Sequence, residues 1–168
     1  MFQHTESPLA PAVPYIRGRG HDRDLHLVTP ELFRERVEAE VVRHARYLSG
    51  AGILRIGPRR GRLGGDALRE AAETETRRTD SVCSYPDGSQ AVLAVNADRR
   101  AVESLGRRIE RVARDIAREK DGSCPDFVSG LAVADDRRLQ ADELWMAANN
   151  ALEVAHDTGS DVAVAGWE

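Results

Sequence analysis

The side chains with most scope for chemistry in this 168-residue sequence are arginines: Lys120 is the single lysine, and every other strongly basic residue is arginine. A guanidinium is a planar fork of donors that matches phosphate oxygens and the O6/N7 edge of guanine. This usage is compatible with nucleotide binding, and equally with the codon bias of a GC-rich genome. One charged string recurs, as Arg19-Gly-His-Asp22, Arg77-Arg-Thr-Asp80 and Arg118-Glu-Lys-Asp121. Because Arg-x-x-Asp repeats, the string alone means little, and only its place in a fold can single one out. The histidines form no ligand pair at helical spacing, and Cys83 and Cys124 stand far apart without metal-like spacing. Neither a metal centre nor a disulfide framework is expected.

The elements that must position these groups fit one domain, by the usual ~100–200 residues per domain. Residues 1–22 carry Pro8, Pro11, Pro14, Gly18 and Gly20 with few large apolar residues, which predicts a flexible or loosely docked tail. From Thr29 the pattern turns helical: Thr29 can cap, Pro30 suits the first helical position, and Leu32, Phe33, Val37, Val41 and Ala45 recur at helical spacing. Ala51–Ile56 reads as a buried strand ended by Gly57-Pro58. A Gly/Arg loop leads to a helix over 66–78. Ser81–Tyr85 and Ala91–Val95 flank the turn composition Pro86-Asp-Gly-Ser-Gln90 and predict a hairpin. A helix over 98–118, a strand over 127–133, a helix over 142–156 and a strand over 161–165 follow. Strands and helices interleaved around one central hairpin predict an α/β sandwich with a mixed sheet.

The order of these segments resembles the GGDEF, or diguanylate cyclase, family over residues 24–165. Asp24–Phe33 is similar to the segment before the family's first helix. Ile53-Leu-Arg-Ile-Gly57 is similar to its first strand, Leu-Leu-Asp-Leu-Asp, and Gly61–Asp66 to the end of the loop that follows. Val128-Ser-Gly-Leu-Ala132 resembles the Ser-Ile-Gly-Val-Ala strand, and Ala148–Gly159 resembles the Ala-Asp-x-Ala-Leu-Tyr-x-Ala-Lys-x-x-Gly helix end. Between these flanks the signature is placed without a gap: Pro86, Asp87, Gly88, Ser89 and Gln90 stand where the family has Gly-Gly-Asp-Glu-Phe.

The resemblance implies a nucleotidyl-cyclase-like fold at 23–168, with the catalytic residues replaced. Cyclisation of GTP needs divalent metal held by carboxylates. The two acidic metal positions of the family correspond to Arg55 and Gly88, and proline at Pro86 neither has glycine's freedom nor donates an N–H. The loop 57–65 is also shorter than the one carrying guanine recognition. No catalytic residue and no metal ligand are expected. Arg55, Arg59, Arg60 and Arg62 could instead form a metal-free phosphate cradle or simply be solvated.

The resemblance further implies a cyclic di-GMP site. The family's inhibitory product site has Arg-x-x-Asp five residues before the signature and an arginine on the following helix, and Arg77, Asp80 and Arg108 stand at those positions. Guanidinium groups would bond phosphate and guanine, and the carboxylate would accept from guanine N–H groups. The plain alternative is a surface salt bridge between Arg77 and Asp80. Two functions remain open at this point. One is a cyclic di-GMP receptor that acts on an unidentified protein partner. The other is a ligand-independent interaction or dimerisation module presented by the charged first helix, with Arg34, Glu35, Arg36, Glu38, Glu40 and Arg43. A homodimer is compatible with either. The net charge of −4 and the lack of a recognition motif speak against nucleic acid. Without a signal core or an apolar run near ~20 residues, the expected location is the cytoplasm.

Overall fold

The computed structural model describes residues 26–134 and 139–166, so the expected 1–22 tail and the Arg19–Asp22 string lie outside the described residues. Helix α1, Pro30–Tyr47, starts as the sequence predicts: the Thr29 hydroxyl accepts from Leu32 N–H and Pro30 fills a first-turn position where no donor is needed. Strand β1, Ala51–Pro58, is buried along its length. Helix α2, Gly65–Glu75, leads to the hairpin strands β2, Ser81–Ser84, and β3, Gln90–Val95. Helix α3, Arg99–Asp121, is capped by Asp98 and ends on left-handed Gly122. Strand β4, Phe127–Val133, helix α4, Ala141–Thr158, and strand β5, Val162–Val164, complete the chain.

The mixed sheet has the order β2-β3-β1-β4-β5, with every neighbouring pair antiparallel except the parallel β4–β5. Side chains alternate across it. Leu54 and Ile56 of β1 face α2 and α3 through Leu68, Ala72, Leu105 and Ile109. Ile53 faces the other layer, where α1 and α4 contribute Phe33, Val37, Leu144 and Ala148. One close approach fixes that second layer. A Cβ built on Gly130 of β4 would lie 2.1 Å from Leu152 N and 2.5 Å from Ala151 C, so α4 rests backbone to backbone on the strand. Glycine in the motif over 128–132 is therefore a packing requirement.

The residues just before α1 form an unpredicted element. Leu27 bridges Val82 in parallel, with Val28 N–H donating to Val82 O and Val82 N–H donating to His26 O. His26 is buried and its Nε2 lies 3.0 Å from the Glu73 carbonyl at the end of α2. Among the described residues, no helix is long and apolar enough to cross a membrane.

Candidate functional site

Strand pairing presents the hairpin tip to the C-terminal end of β1, because Ile56 stands opposite Gln90 and Arg55 opposite Ala91. The turn closes with Gly88 N–H donating to Tyr85 O and Tyr85 N–H donating to Ser89 O. Asp87 tightens it by accepting from both the Ser89 N–H (2.9 Å) and the Ser89 hydroxyl (2.6 Å). Gly88 has φ +85°, a conformation glycine adopts without strain, and its Cα packs against Gly65 at the start of α2.

Arg55 shares the face of Ile53 by strand alternation and is 8% exposed. Its guanidinium donates to Asn149 Oδ1 on α4 (2.7 Å) and to Ser89 Oγ on the hairpin (2.9 Å). It also lies over the rings of Tyr85 (4.5 Å) and Trp145 (5.0 Å). One cation thus joins β1, the hairpin and α4. Burial pulls the Arg55 pKa below its ordinary value, with the Tyr85 phenol and the Asp87 carboxylate offsetting part of the shift. An arginine stays protonated despite such a shift. Burial also raises the Tyr85 pKa, reinforced by Cys83. At Asp87 burial acts upward, but hydrogen bonds from Ser89 and the charge of Arg55 outweigh it and the net shift is downward. The Arg55 Nε–H makes no hydrogen bond among the described residues. Two desolvated cation–π contacts, up to about 2 kcal/mol each, are of the size needed to offset an orphan donor costing about 1–3 kcal/mol.

Beside the hairpin tip a cavity of about 490 Å³ opens toward α2, with Gly64, Gly65 and Asp66 on one side and Tyr85, Pro86 and Gly88 on the other. Among the described residues no cluster of His, Cys, Asp or Glu could hold a metal ion. Of the loop arginines, Arg62 lines this cavity. Arg59 is held by Asp126 and Asp161, whereas Arg55 is held by Asn149 and Ser89.

Arg108 reaches the C-terminal end of α2, close in sequence to Arg77. Arg108 on α3 donates from Nε to the Glu75 carboxylate and from a terminal nitrogen to the Glu75 carbonyl, both at 3.3 Å. Arg77, two residues further on, is exposed. Asp80 behaves differently. It is 4% exposed, and its oxygens accept from the Arg77 N–H (2.9 Å) and the Val95 N–H (3.0 Å). The expectation of a carboxylate open to guanine is corrected to a buried one that pins the turn carrying Arg77. The alternative of an Arg77–Asp80 salt bridge is not what joins them either, since the bond runs to the Arg77 backbone.

No protein-family sequence model matches the chain, and no curated protein matches it significantly in sequence. Solved structures do. The GGDEF domain of TpbB (YfiN) from Pseudomonas aeruginosa superposes with a TM-score of 0.72 at 17% identity, covering 84% of this chain and 92% of that one. The fold is that of a GGDEF domain. The GGDEF domain of DgcB from Caulobacter crescentus, in complex with c-di-GMP, gives 0.67 at 12% identity over 94% of this chain and 100% of that one. Diguanylate cyclase SiaD from Pseudomonas aeruginosa, in complex with its activator SiaC, gives 0.69 at 14% identity over 82% of this chain and 58% of that one.

On this GGDEF fold, Pro86, Asp87, Gly88, Ser89 and Gln90 form the hairpin tip as the sequence expects, with Gln90 as the first residue of β3. Sequence reasoning missed the partners of Arg55. Asn149 and Trp145 lie on α4 at (i, i+4) spacing, a signal for a shared helix face, but nothing in the chain announces that this face meets β1. Glu75 was missed as the partner of Arg108 for the same reason, since the contact joins two helices.

Proposed function

We propose that this chain is a catalytically inactive signalling protein on a GGDEF fold, which binds cyclic di-GMP at the end of α2 and acts on a protein partner. The observation that carries the loss of catalysis is Arg55. In the register of the resemblance it replaces a metal-binding carboxylate, and its guanidinium is fastened to Ser89 of the signature hairpin. A fixed cation in that place repels a divalent metal. Incubated with GTP and Mg²⁺ or Mn²⁺, the protein forms no cyclic di-GMP. Arg55→Asp with Gly88→Glu does not restore it, because a side chain at Gly88 is strained by φ +85° and meets Gly65 and Pro58 at 3.3 Å. Product made by pure protein would overturn the reading, as would recovery in the double variant.

Ligand binding is supported by the reach of Arg108 to Glu75 at the end of α2, two residues before the exposed Arg77, and by the cyclic di-GMP held by the DgcB structures of the same fold. In this reading Arg77 and Arg108 contact the ligand, while Asp80 completes the site by holding the turn. Calorimetric titration tests it. Arg77→Ala or Arg108→Ala weakens binding by about 1.5–3 kcal/mol, roughly ten- to a hundredfold. Arg19→Ala and Arg118→Ala change it little. Equal small losses in all four variants would mean nonspecific association, and no heat from folded wild type would end the proposal.

The second reading, a ligand-independent interaction module, is favoured by α1 and its C-cap, which leave Val42, Tyr47 and Leu48 more than half exposed. A partner complex that survives Arg77→Ala would support it.

A further inference from the structure

We propose that α1 pairs with α1 of a second copy of this chain, antiparallel about a two-fold axis, which gives the exposed α1 surface of the second reading its occupant. Leu32, Glu35, Ala39, Val42 and Arg46 are all exposed, and they recur along the helix at alternating steps of three and four residues. That alternation is the spacing of a coiled-coil seam, which keeps one narrow stripe on one side of a helix. The stripe lies opposite the face on which Phe33, Val37, Val41 and His44 are buried, so it points away from the sheet. Its apolar members are uncovered, with Leu32 38% and Val42 54% exposed. Its two charged members, Glu35 and Arg46, form no ion pair among the described residues.

Those two charges select both the occupant and its direction. Glu35 stands toward the N-terminal end of the stripe and Arg46 toward the other, about 16 Å apart along the helix axis. A parallel copy in register would set Glu35 against Glu35 and Arg46 against Arg46. An antiparallel copy with Ala39 opposite Val42 instead sets Glu35 opposite Arg46 of the second copy, and the two-fold axis makes each contact twice. The small Ala39 lets the helices approach at the centre, and the exposed Leu48 at the helix end comes near Leu32 of the second copy. Arg36 and Arg43 beside the stripe are engaged within their own chain, Arg36 with Ser81 and Arg43 with Glu40 and Asn96, which leaves Arg46 as the counter-charge for Glu35. Opposed helix dipoles favour the same direction. One helix pair is small beside a standard interface of about 1,600 Å², so the dimer is weak and exchanges with monomer.

Sedimentation equilibrium of the full chain, at low salt and without nucleotide, tests the pairing. The expected result is a reversible monomer–dimer equilibrium at micromolar to millimolar protein, weakened by added salt. Glu35→Arg alone and Arg46→Glu alone each weaken the dimer roughly tenfold or more, because by symmetry each turns two attractions into two repulsions. Glu35→Arg with Arg46→Glu on one chain restores it, and that recovery shows that the single changes acted on the contact and not on folding. A chain that stays monomeric throughout overturns the pairing and leaves the stripe to another protein. Dimers indifferent to both single variants, or not restored by the exchange, place the interface elsewhere and overturn it too. The second reading itself stands or falls separately, with the partner complex in Arg77→Ala.

Discussion

Gly130→Ala is expected to cost about 3 kcal/mol or more and to lower the melting temperature by roughly 6–12 °C. The added Cβ would stand 2.1 Å from Leu152 N and 2.5 Å from Ala151 C, both backbone atoms of a helix interior that cannot rotate aside. Relief requires α4 to lift from β4, which loosens the burial of Leu144, Ala148, Ala151 and Ala155. Domains of this size hold only about 5–15 kcal/mol in total, so the variant approaches the edge of folding. Gly166→Ala, with no atom within 4 Å of the built Cβ, serves as the control and should melt as wild type does. Equal thermal melts for the two variants would mean that α4 is not seated on β4 as described.

Arg55→Ala carries the second largest expected effect, a loss of about 2–3 kcal/mol in chemical denaturation. The substitution removes charge-assisted bonds to Asn149 and Ser89, worth about 1.5–3 kcal/mol each, and two cation–π contacts. Releasing a desolvated charge offsets part of this, which keeps the net below the sum. Arg55→Lys should fall in between, because an ammonium keeps the charge but cannot span Asn149 and Ser89 with one planar group. If Arg55→Ala proves more stable than wild type, the guanidinium is a burden on the fold and its fastening role is refuted.

The element order was legible in the sequence because periodicity, caps and turn composition agreed locally. Thr29 caps α1 as expected, and Phe127–Val133 is the strand expected there. Helix ends were less so. The helix expected over 66–78 stops at Glu75, where the chain turns so that Asp80 can accept from Val95 N–H on the neighbouring strand. That bond joins residues distant in sequence, and no local pattern encodes it. The same limit applies to the site. Arg55, Arg77 and Arg108 were singled out by register, whereas the partners of Arg55 and Arg108, Asn149 and Glu75, depend on which helix faces meet.

The short pairing of Leu27 with Val82 bears on how copies of this protein could associate. An unpaired outer strand offers its backbone to any similar strand, and folded proteins cover such borders to stay apart. Here the β2 border is taken by residues 26–28, and the opposite border, β5, is three residues long. A dimer would therefore be built by helix faces, leaving self-association dependent on side-chain chemistry that mutation or a bound ligand can tune.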